Sequence, residues 1–263
     1  MESKPSHGIK SKFDYSIVME ACRETDAAHI LMIEDDVVFM DGWYRRVVKA
    51  LGIATAKTWD LGHKDFLYLR LFYYEGLLGW NSESWRVYLV VSLVLVTGVL
   101  SALTLTQRYI PSTRPYLTRR VILLVALVFV PLLIILGFAA GGNCILPRRP
   151  GVGLMPDHAC CGQGLVFPRD KVTEELLPRF LSNRWSEVPT DSLIEIHADG
   201  TGGLRWALTP VVMQHVGGQS SHEVSRGGGF TPSHIWNYAF EEYDADRLAA
   251  EHLRELEGLK LAN

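Results

Sequence analysis

The chain has 263 residues, of which 48% are hydrophobic, and its 26 basic and 29 acidic side chains give a formal net charge of −3. This composition excludes a disordered protein, a coiled coil and a small disulfide-rich protein. Two windows of 20 residues, Val87–Thr106 and Val121–Ala140, contain no charged side chain, which excludes a purely soluble globular protein.

The sequence before the first window alternates between helical and extended patterns. The predicted elements are, in chain order, a helix at Tyr15–Thr25, a strand at His29–Ile33, a helix at Gly42–Thr58 and a strand at Phe66–Tyr74. His29–Ile33 is a short, continuous apolar run, which is typical of a buried strand of the parallel type. The run ends at three consecutive acids, Glu34, Asp35 and Asp36.

The two uncharged windows predict a pair of transmembrane helices. Each window would extend about 30 Å as a helix, which is the thickness of the hydrocarbon core of a bilayer. The connector Gln107–Arg120 carries four arginines and no acid. By the positive-inside rule it stays in the cytosol, so both flanks lie in the lumen of the secretory pathway or outside the cell. The alternative is a pair of buried core helices. The rest of the chain is acidic and offers no basic surface for nucleic acid.

The sequence after the second window returns to the alternating pattern. The predicted elements are a strand at Gly162–Phe167, a helix at Arg169–Leu181, a helix opened by Asp191 as its N-cap, a strand at Pro210–Val216 and an acidic terminal helix at Tyr243–Lys260. Strands that alternate with helices indicate the α/β class. Because neither flank holds a complete sheet, we expect one domain built from residues 1–86 and 141–263, interrupted by a transmembrane hairpin at residues 87–140.

Two further features bear on the compartment. Met1–Lys12 is polar and basic and lacks an apolar stretch, so it is not a signal peptide, and we expect the chain to be a shortened version of a longer protein with its own anchor. The cysteines include no C-x-x-C pair. A luminal disulfide among Cys144, Cys160 and Cys161 and free buried thiols are both open alternatives.

The acidic triplet is the sharpest chemical signal in the sequence. Open α/β sheets bind ligands at the carboxyl ends of their strands. Three adjacent carboxylates repel one another, and a bound cation offsets this repulsion. Their hard oxygen ligands suit Mn²⁺ or Mg²⁺. A solvated acidic turn is the alternative. His215 ends an apolar strand, where its imidazole could complete the coordination, although a histidine in such a place is more often an ordinary core or surface residue.

The order of these motifs resembles a known family. The strand before Glu34–Asp36, the segment CGQGLVFPRD, the segment PTDSLIEIHA and the segment QHVGGQSS are together similar to GT-A glycosyltransferases. A domain of this kind split by a tandem transmembrane hairpin, preceded by YLRLFYYEGLLGW, resembles the post-GPI-attachment GalNAc-transferases of the Golgi and their fungal relatives. The resemblance extends from Tyr15 to about Tyr243.

The resemblance implies a role for each matching residue. Asp36 would be the direct metal ligand and His215 would complete the coordination. Glu34 and Asp35 would contact the ribose of the nucleotide sugar or metal-bound waters. Gly162 and Gly164 would allow the backbone to approach the sugars closely. Asp191 would be the catalytic base, and Glu195 is the alternative candidate for that role. A plain helix N-cap is the alternative for Asp191.

The resemblance also implies the reaction. We expect a metal-dependent, inverting Golgi membrane glycosyltransferase that transfers a GalNAc-like sugar from a UDP-sugar to the glycan of GPI-anchored proteins. The first strand–helix units of the fold, which bind the base of the nucleotide, should precede Glu34 by far more residues than the sequence provides. A catalytically inactive membrane scaffold of the same fold is therefore the alternative function.

Overall fold

The computed structural model describes residues 7–74, 80, 84–142, 149–155, 161–217 and 235–260. The chain divides into two compact units. Unit 1 combines Met1–Glu75 with Arg149–Asn263, and unit 2 is Gly76–Arg148. Unit 1 is therefore assembled from two stretches of sequence that lie on either side of unit 2 in the chain.

Unit 1 is a mixed α/β unit. Its strands are β1 (His29–Ile33), β2 (Val37–Phe39), β3 (Tyr68–Arg70), β4 (Gly151–Leu154), β5 (Gly164–Pro168), β6 (Arg205–Thr209) and β7 (Met213–His215). Its helices are α1 (His7–Arg23), α2 (Trp43–Asp60), α5 (Leu177–Ser182, continuing a π-helical segment Lys171–Leu176), α6 (Thr190–Thr201), α7 (Tyr238–Glu241) and α8 (Ala245–Lys260). The predicted α/β class is therefore confirmed.

Five strands form one mixed sheet in the order β1-β5-β3-β6-β4. Within the described chain, β3 and β6 are its parallel pair and its other neighbours run antiparallel. The prediction of a parallel-type β1 is wrong, since β1 is an edge strand antiparallel to β5. Its continuous apolar pattern has another cause, because Ile30 and Met32 pack into one core and Leu31 packs against the other.

The sheet separates two hydrophobic cores. Leu165 and Phe167 of β5 face one core, and Val166 between them faces the other, as the two-residue period of a strand requires. The first core is closed by α1, α5 and α6, and the second by α2 and α8. A separate two-stranded ladder pairs β2 with β7, antiparallel, with Val37 opposite His215. This ladder brings the end of the acidic triplet beside His215.

The helix that Asp191 was predicted to open begins slightly earlier. Pro189 is its N-cap and Thr190 its first residue, so Asp191 lies in the first turn, and the N-cap prediction is wrong. The extended backbone of Pro189 provides the entry to the helix without a side-chain cap. An acid in the first turn is still favourable there, because the N-terminal end of the helix dipole is positive.

Unit 2 contains two helices that are long and apolar enough to cross a membrane, α3 (Trp85–Tyr109) and α4 (Arg119–Ala140). They pack against each other and are joined through a short 3₁₀ turn at Pro111–Thr113. A π-helical turn, Val125–Phe129, lies next to Pro131 in α4. Proline lacks the amide proton that an α-helical turn uses, and a local change of winding accommodates it.

The cysteines fall into three groups. Cys161 is disulfide-bonded, and Cys22 is a free thiol. Cys144 and Cys160 lie outside the described residues, so the pairing among the three later cysteines stays a prediction.

Candidate active site

Backbone hydrogen bonds connect the acidic triplet to two other segments of the chain. The amide of Glu34 donates to the carbonyl of Gln163 at 3.1 Å, and the amide of Val216 donates to the carbonyl of Asp36 at 2.8 Å. Glu34 directly follows β1, and Asp36 directly precedes β2. The register of β2 against β7 then places Asp36 next to His215, which comes from far along the chain.

Glu34, Asp36 and His215 form a candidate metal site. Each residue offers one ligand atom, and these three atoms lie within 4.8 Å of one another. Nε2 of His215 lies 3.0 Å from Oδ2 of Asp36, and Oδ1 of Asp36 is buried and has no hydrogen-bond partner among the described residues. Two carboxylates and an imidazole fit Mn²⁺, and the unsatisfied buried oxygen fits a cation ligand.

The electrostatics of Glu34 reflect the crowding of acids around it. Burial raises the pKa of Glu34 to about 7, and the carboxylates of Asp36, Asp191 and Asp35 contribute in the same direction. A hydrogen bond from the side chain of Gln163 opposes this shift in pKa. The site therefore concentrates negative charge where a cation would relieve the repulsion.

Asp35 differs from the other two acids of the triplet in its exposure. It is exposed and is not a member of the three-residue group. The structure thus brings together both predicted metal ligands, Asp36 and His215, and adds Glu34 to them. Contact of Asp35 with ribose or metal-bound water stays a prediction.

The two predicted glycines have different surroundings. A Cβ on Gly162 would lie 3.4 Å from the hydroxyl of Tyr15, 3.8 Å from Oε1 of Glu34 and 3.9 Å from Cβ of Asp191, so this glycine borders a space between three polar residues. A Cβ on Gly164 would overlap Met213. Close packing against Met213 therefore accounts for a glycine at position 164, and approach of its backbone to a sugar stays a prediction.

Gly217 is a third glycine at the site, and the prediction did not include it. A Cβ there would overlap Oδ2 of Asp36 and would lie 3.0 Å from Cε1 of His215. The sequence does indicate that Gly217 lies at the site, because it follows His215 by two residues. The segment QHVGGQSS continues through residues 218–221, which lie outside the described residues.

The two candidates for the catalytic base differ sharply in their contacts. Oδ1 of Asp191 accepts a hydrogen bond from the amide of Ser192 at 2.7 Å, and the residue is half-buried near Glu34. Glu195 is buried. Its Oε1 accepts from the hydroxyl of Tyr68 at 2.6 Å and from Arg70 at 3.0 Å, and its Oε2 accepts from Arg205 at 3.0 Å.

These contacts favour Asp191 over Glu195 as the base. Both oxygens of Glu195 are already occupied by donors, and two of those donors are cations. A carboxylate in this position is poorly suited to accept a proton from a substrate. Asp191, in contrast, lies on the same side of Gly162 as Glu34.

The fold and the three-residue cluster define a mixed α/β protein with a candidate site for a divalent cation at a strand end. A comparison with protein families identifies the chain further: the model of the GPI-N-acetylgalactosamine transferase PGAP4 family matches residues 2–214. The chain belongs to this family, which is a family of glycosyltransferases. No curated protein and no solved structure matches the chain.

Proposed function

We propose that this chain is a metal-dependent, inverting glycosyltransferase that transfers N-acetylgalactosamine from a UDP-sugar to the glycan of GPI-anchored proteins. Family membership supports the reaction class and the acceptor. The observation that carries the proposal is the convergence of Glu34, Asp36 and His215, because a nucleotide-sugar transferase of this kind needs a cation for its diphosphate. A GT-A fold for unit 1 is part of the proposal.

Glu34, Asp36 and His215 would hold Mn²⁺ or Mg²⁺. When bound, the ion supplies Lewis-acid stabilisation of the diphosphate leaving group. Asp191 accepts the proton of the acceptor hydroxyl while that oxygen forms its bond to the anomeric carbon, and the bond from that carbon to the diphosphate breaks on the opposite face. The configuration of the sugar is therefore inverted.

The proposed location is the Golgi membrane, with unit 1 in the lumen. The two helices of membrane-spanning length support a membrane protein, and the acceptor of the family is a glycan linked to a lipid anchor. The four arginines of the connector Gln107–Arg120 support a cytosolic position for it.

The test uses the full chain in detergent with UDP-N-acetylgalactosamine, a GPI glycan acceptor and Mn²⁺. Asp36→Asn should reduce metal-dependent UDP release and sugar transfer by at least about 100-fold, because loss even of groups that only orient metal ligands costs up to that factor. Asp41→Asn is the matched control, since Asp41 is exposed near the same segment. Asp191→Asn should abolish transfer while Mn²⁺ still binds.

The product decides between the alternatives. Mass spectrometry of the GPI glycan should show one added N-acetylhexosamine, and the anomeric configuration of the new bond should be inverted. A wild-type chain that binds Mn²⁺ but neither releases UDP nor modifies the glycan would contradict the proposal, and would favour a catalytically inactive scaffold of the same fold. Equal turnover by wild type and Asp36→Asn would contradict the metal site.

A further inference from the structure

Tyr15 of α1 lies at the proposed active site, although its sequence pattern marks it only as part of an apolar helix stripe. Its hydroxyl is 3.4 Å from the position that a Cβ on Gly162 would occupy, next to Glu34 and Asp191. Its ring stacks on Phe180 of α5, with ring centroids 5.9 Å apart and planes inclined by 10°. The stack fixes the direction in which the hydroxyl points.

The hydroxyl of Tyr15 has little hydrogen bonding within the protein. It donates to the carbonyl of Gly162 at 3.4 Å, which is long for a hydroxyl donor. Burial, together with the carboxylates of Glu34 and Asp191, raises the pKa of Tyr15. The group therefore stays protonated and remains a donor. A largely buried donor with one weak bond gains from a ligand that accepts a stronger one.

A gap about the size of a methyl group lies beside this hydroxyl. A methyl group on Gly162 would contact Tyr15, Glu34 and Asp191 at distances of 3.4 to 3.9 Å, which are ordinary van der Waals contacts rather than overlaps. The lack of a side chain at Gly162 thus leaves room for one small group of a substrate, such as a hydroxyl, among three polar residues contributed by α1, the end of β1 and the first turn of α6.

We propose that Tyr15 binds the transferred sugar of the nucleotide-sugar donor and that its hydroxyl donates a hydrogen bond to an oxygen of that sugar. The inference rests on the proposed function. The anomeric carbon must lie between the leaving diphosphate, near Glu34 and Asp36, and the acceptor hydroxyl, at Asp191. The Tyr15 hydroxyl and Gly162 lie beside Glu34 and Asp191. They would therefore contact the sugar of the donor.

The test compares wild type with Tyr15→Phe, which keeps the ring and its stack on Phe180 and removes only the hydroxyl. We expect kcat/KM for UDP-N-acetylgalactosamine to fall about tenfold, the effect of one lost hydrogen bond. The Mn²⁺ affinity and the unfolding temperature should not change. Tyr44→Phe is the matched control, because Tyr44 is 65% exposed on α2.

Monodeoxy donors separate a direct contact from a structural effect. For the one analogue that lacks the oxygen bonded by Tyr15, Tyr15→Phe should cause no further loss of kcat/KM, whereas the loss should persist for the other analogues. An equal loss for every donor, or no loss for any donor, would overturn the inference while leaving the proposed function intact. Wild-type protein without metal-dependent UDP release would overturn both.

Gly162→Ala provides a second variant that does not depend on the folding of Tyr15→Phe. Its methyl group would occupy the space assigned to the sugar. We expect about tenfold weaker binding of the UDP-sugar and unchanged binding of UDP, measured by titration in the presence of Mn²⁺. Equal weakening of UDP and UDP-sugar would show that the space does not hold the sugar and would overturn the inference.

Discussion

Asp36 depends on two backbone features of the segment after β7. Its carbonyl accepts a hydrogen bond from the amide of Val216, and its carboxylate occupies the space that the missing side chain of Gly217 leaves free. The same glycine borders the imidazole of His215. Position 217 therefore controls the relative placement of two of the three candidate metal ligands.

Gly217→Ala should weaken Mn²⁺ binding at least about tenfold, because displacing groups that orient metal ligands typically costs that factor or more. The added Cβ would overlap Oδ2 of Asp36 and force it or His215 to move. Titration calorimetry on the full chain measures the affinity. Gly153→Ala is the control, since a Cβ at that strand position meets nothing within 4 Å. Unchanged affinity in Gly217→Ala would contradict the assigned geometry.

At the scale of elements, buried ion pairs connect α6 to the sheet. Glu195 of α6 bonds Arg70 of β3 and Arg205 of β6, and the side-chain exposures of the three are 9%, 1% and 6%. Arg70 also donates to the carbonyl of Cys161, just before Gly162. The network thus connects the helix that carries Asp191 with the segment that borders Glu34.

Glu195→Gln should lower the free energy of unfolding by about 3 kcal/mol, because it removes the carboxylate that Arg70 and Arg205 share, while Arg205 keeps its ion pair with Asp199. Urea unfolding followed by tryptophan fluorescence measures the change. Glu174→Gln is the control, since Glu174 is exposed on the neighbouring segment. Full stability combined with loss of kcat would contradict this structural role and would instead support Glu195 as the catalytic base.

The contact between the π-helical segment and α6 should depend on pH. Burial acts to raise the pKa of Glu175, but hydrogen bonds from Lys171 and His197 outweigh it, and the net pKa lies below the ordinary value of 4.5. A lowered pKa in the folded state adds stability above the ordinary pKa and loses it as the pH falls through the folded value.

Wild type should therefore be more stable than Glu175→Gln at neutral pH, by up to about 1 kcal/mol for this partly exposed group. The difference should shrink toward zero as the pH falls below 4.5. Thermal unfolding of both proteins across this range measures it. A difference that grows on acidification would contradict the direction of the pKa shift.

Sequence patterns predicted the presence of the long helices and the acidic cluster better than they predicted which strands pair with one another. His29–Ile33 was predicted with the bounds that β1 has. The patterns missed β4, a glycine-rich GVGL run, and β6, which begins with a buried arginine whose partner Glu195 is supplied by α6. The roles of Tyr15 and Gly217 could not be predicted from the sequence around them, because they arise from contacts between segments that are distant in the chain.

At the scale of the whole molecule, the order of the two units along the chain constrains the topology. Unit 1 is assembled from sequence on both sides of unit 2. If α3 and α4 each cross a membrane once, the chain returns to the side from which it left. Both parts of unit 1 then share one compartment, as the shared sheet requires, since β3 precedes the two helices and pairs with β5 and β6, which follow them.

The orientation of that hairpin can be tested with an added glycosylation site, because the chain contains no N-x-S/T sequence of its own. Trp185→Thr creates such a sequence, with Asn183 as the acceptor, at a position where the native Trp185 is 73% exposed. We expect this variant, expressed in cells, to gain a glycan that an endoglycosidase removes. Trp185→Ala is the control and should gain none.

A cysteine in the connector reports on the opposite side of the membrane. Ser112→Cys should react more than wild type with an impermeant maleimide added to sealed microsomes, because the positive-inside rule predicts that the arginine-rich connector faces the cytosol. An unglycosylated Trp185→Thr variant, together with a Ser112→Cys variant that the maleimide labels no more than wild type, would place unit 1 in the cytosol. A cytosolic unit 1 could not reach a luminal GPI glycan, so this pair of results would contradict the proposed acceptor as well as the topology.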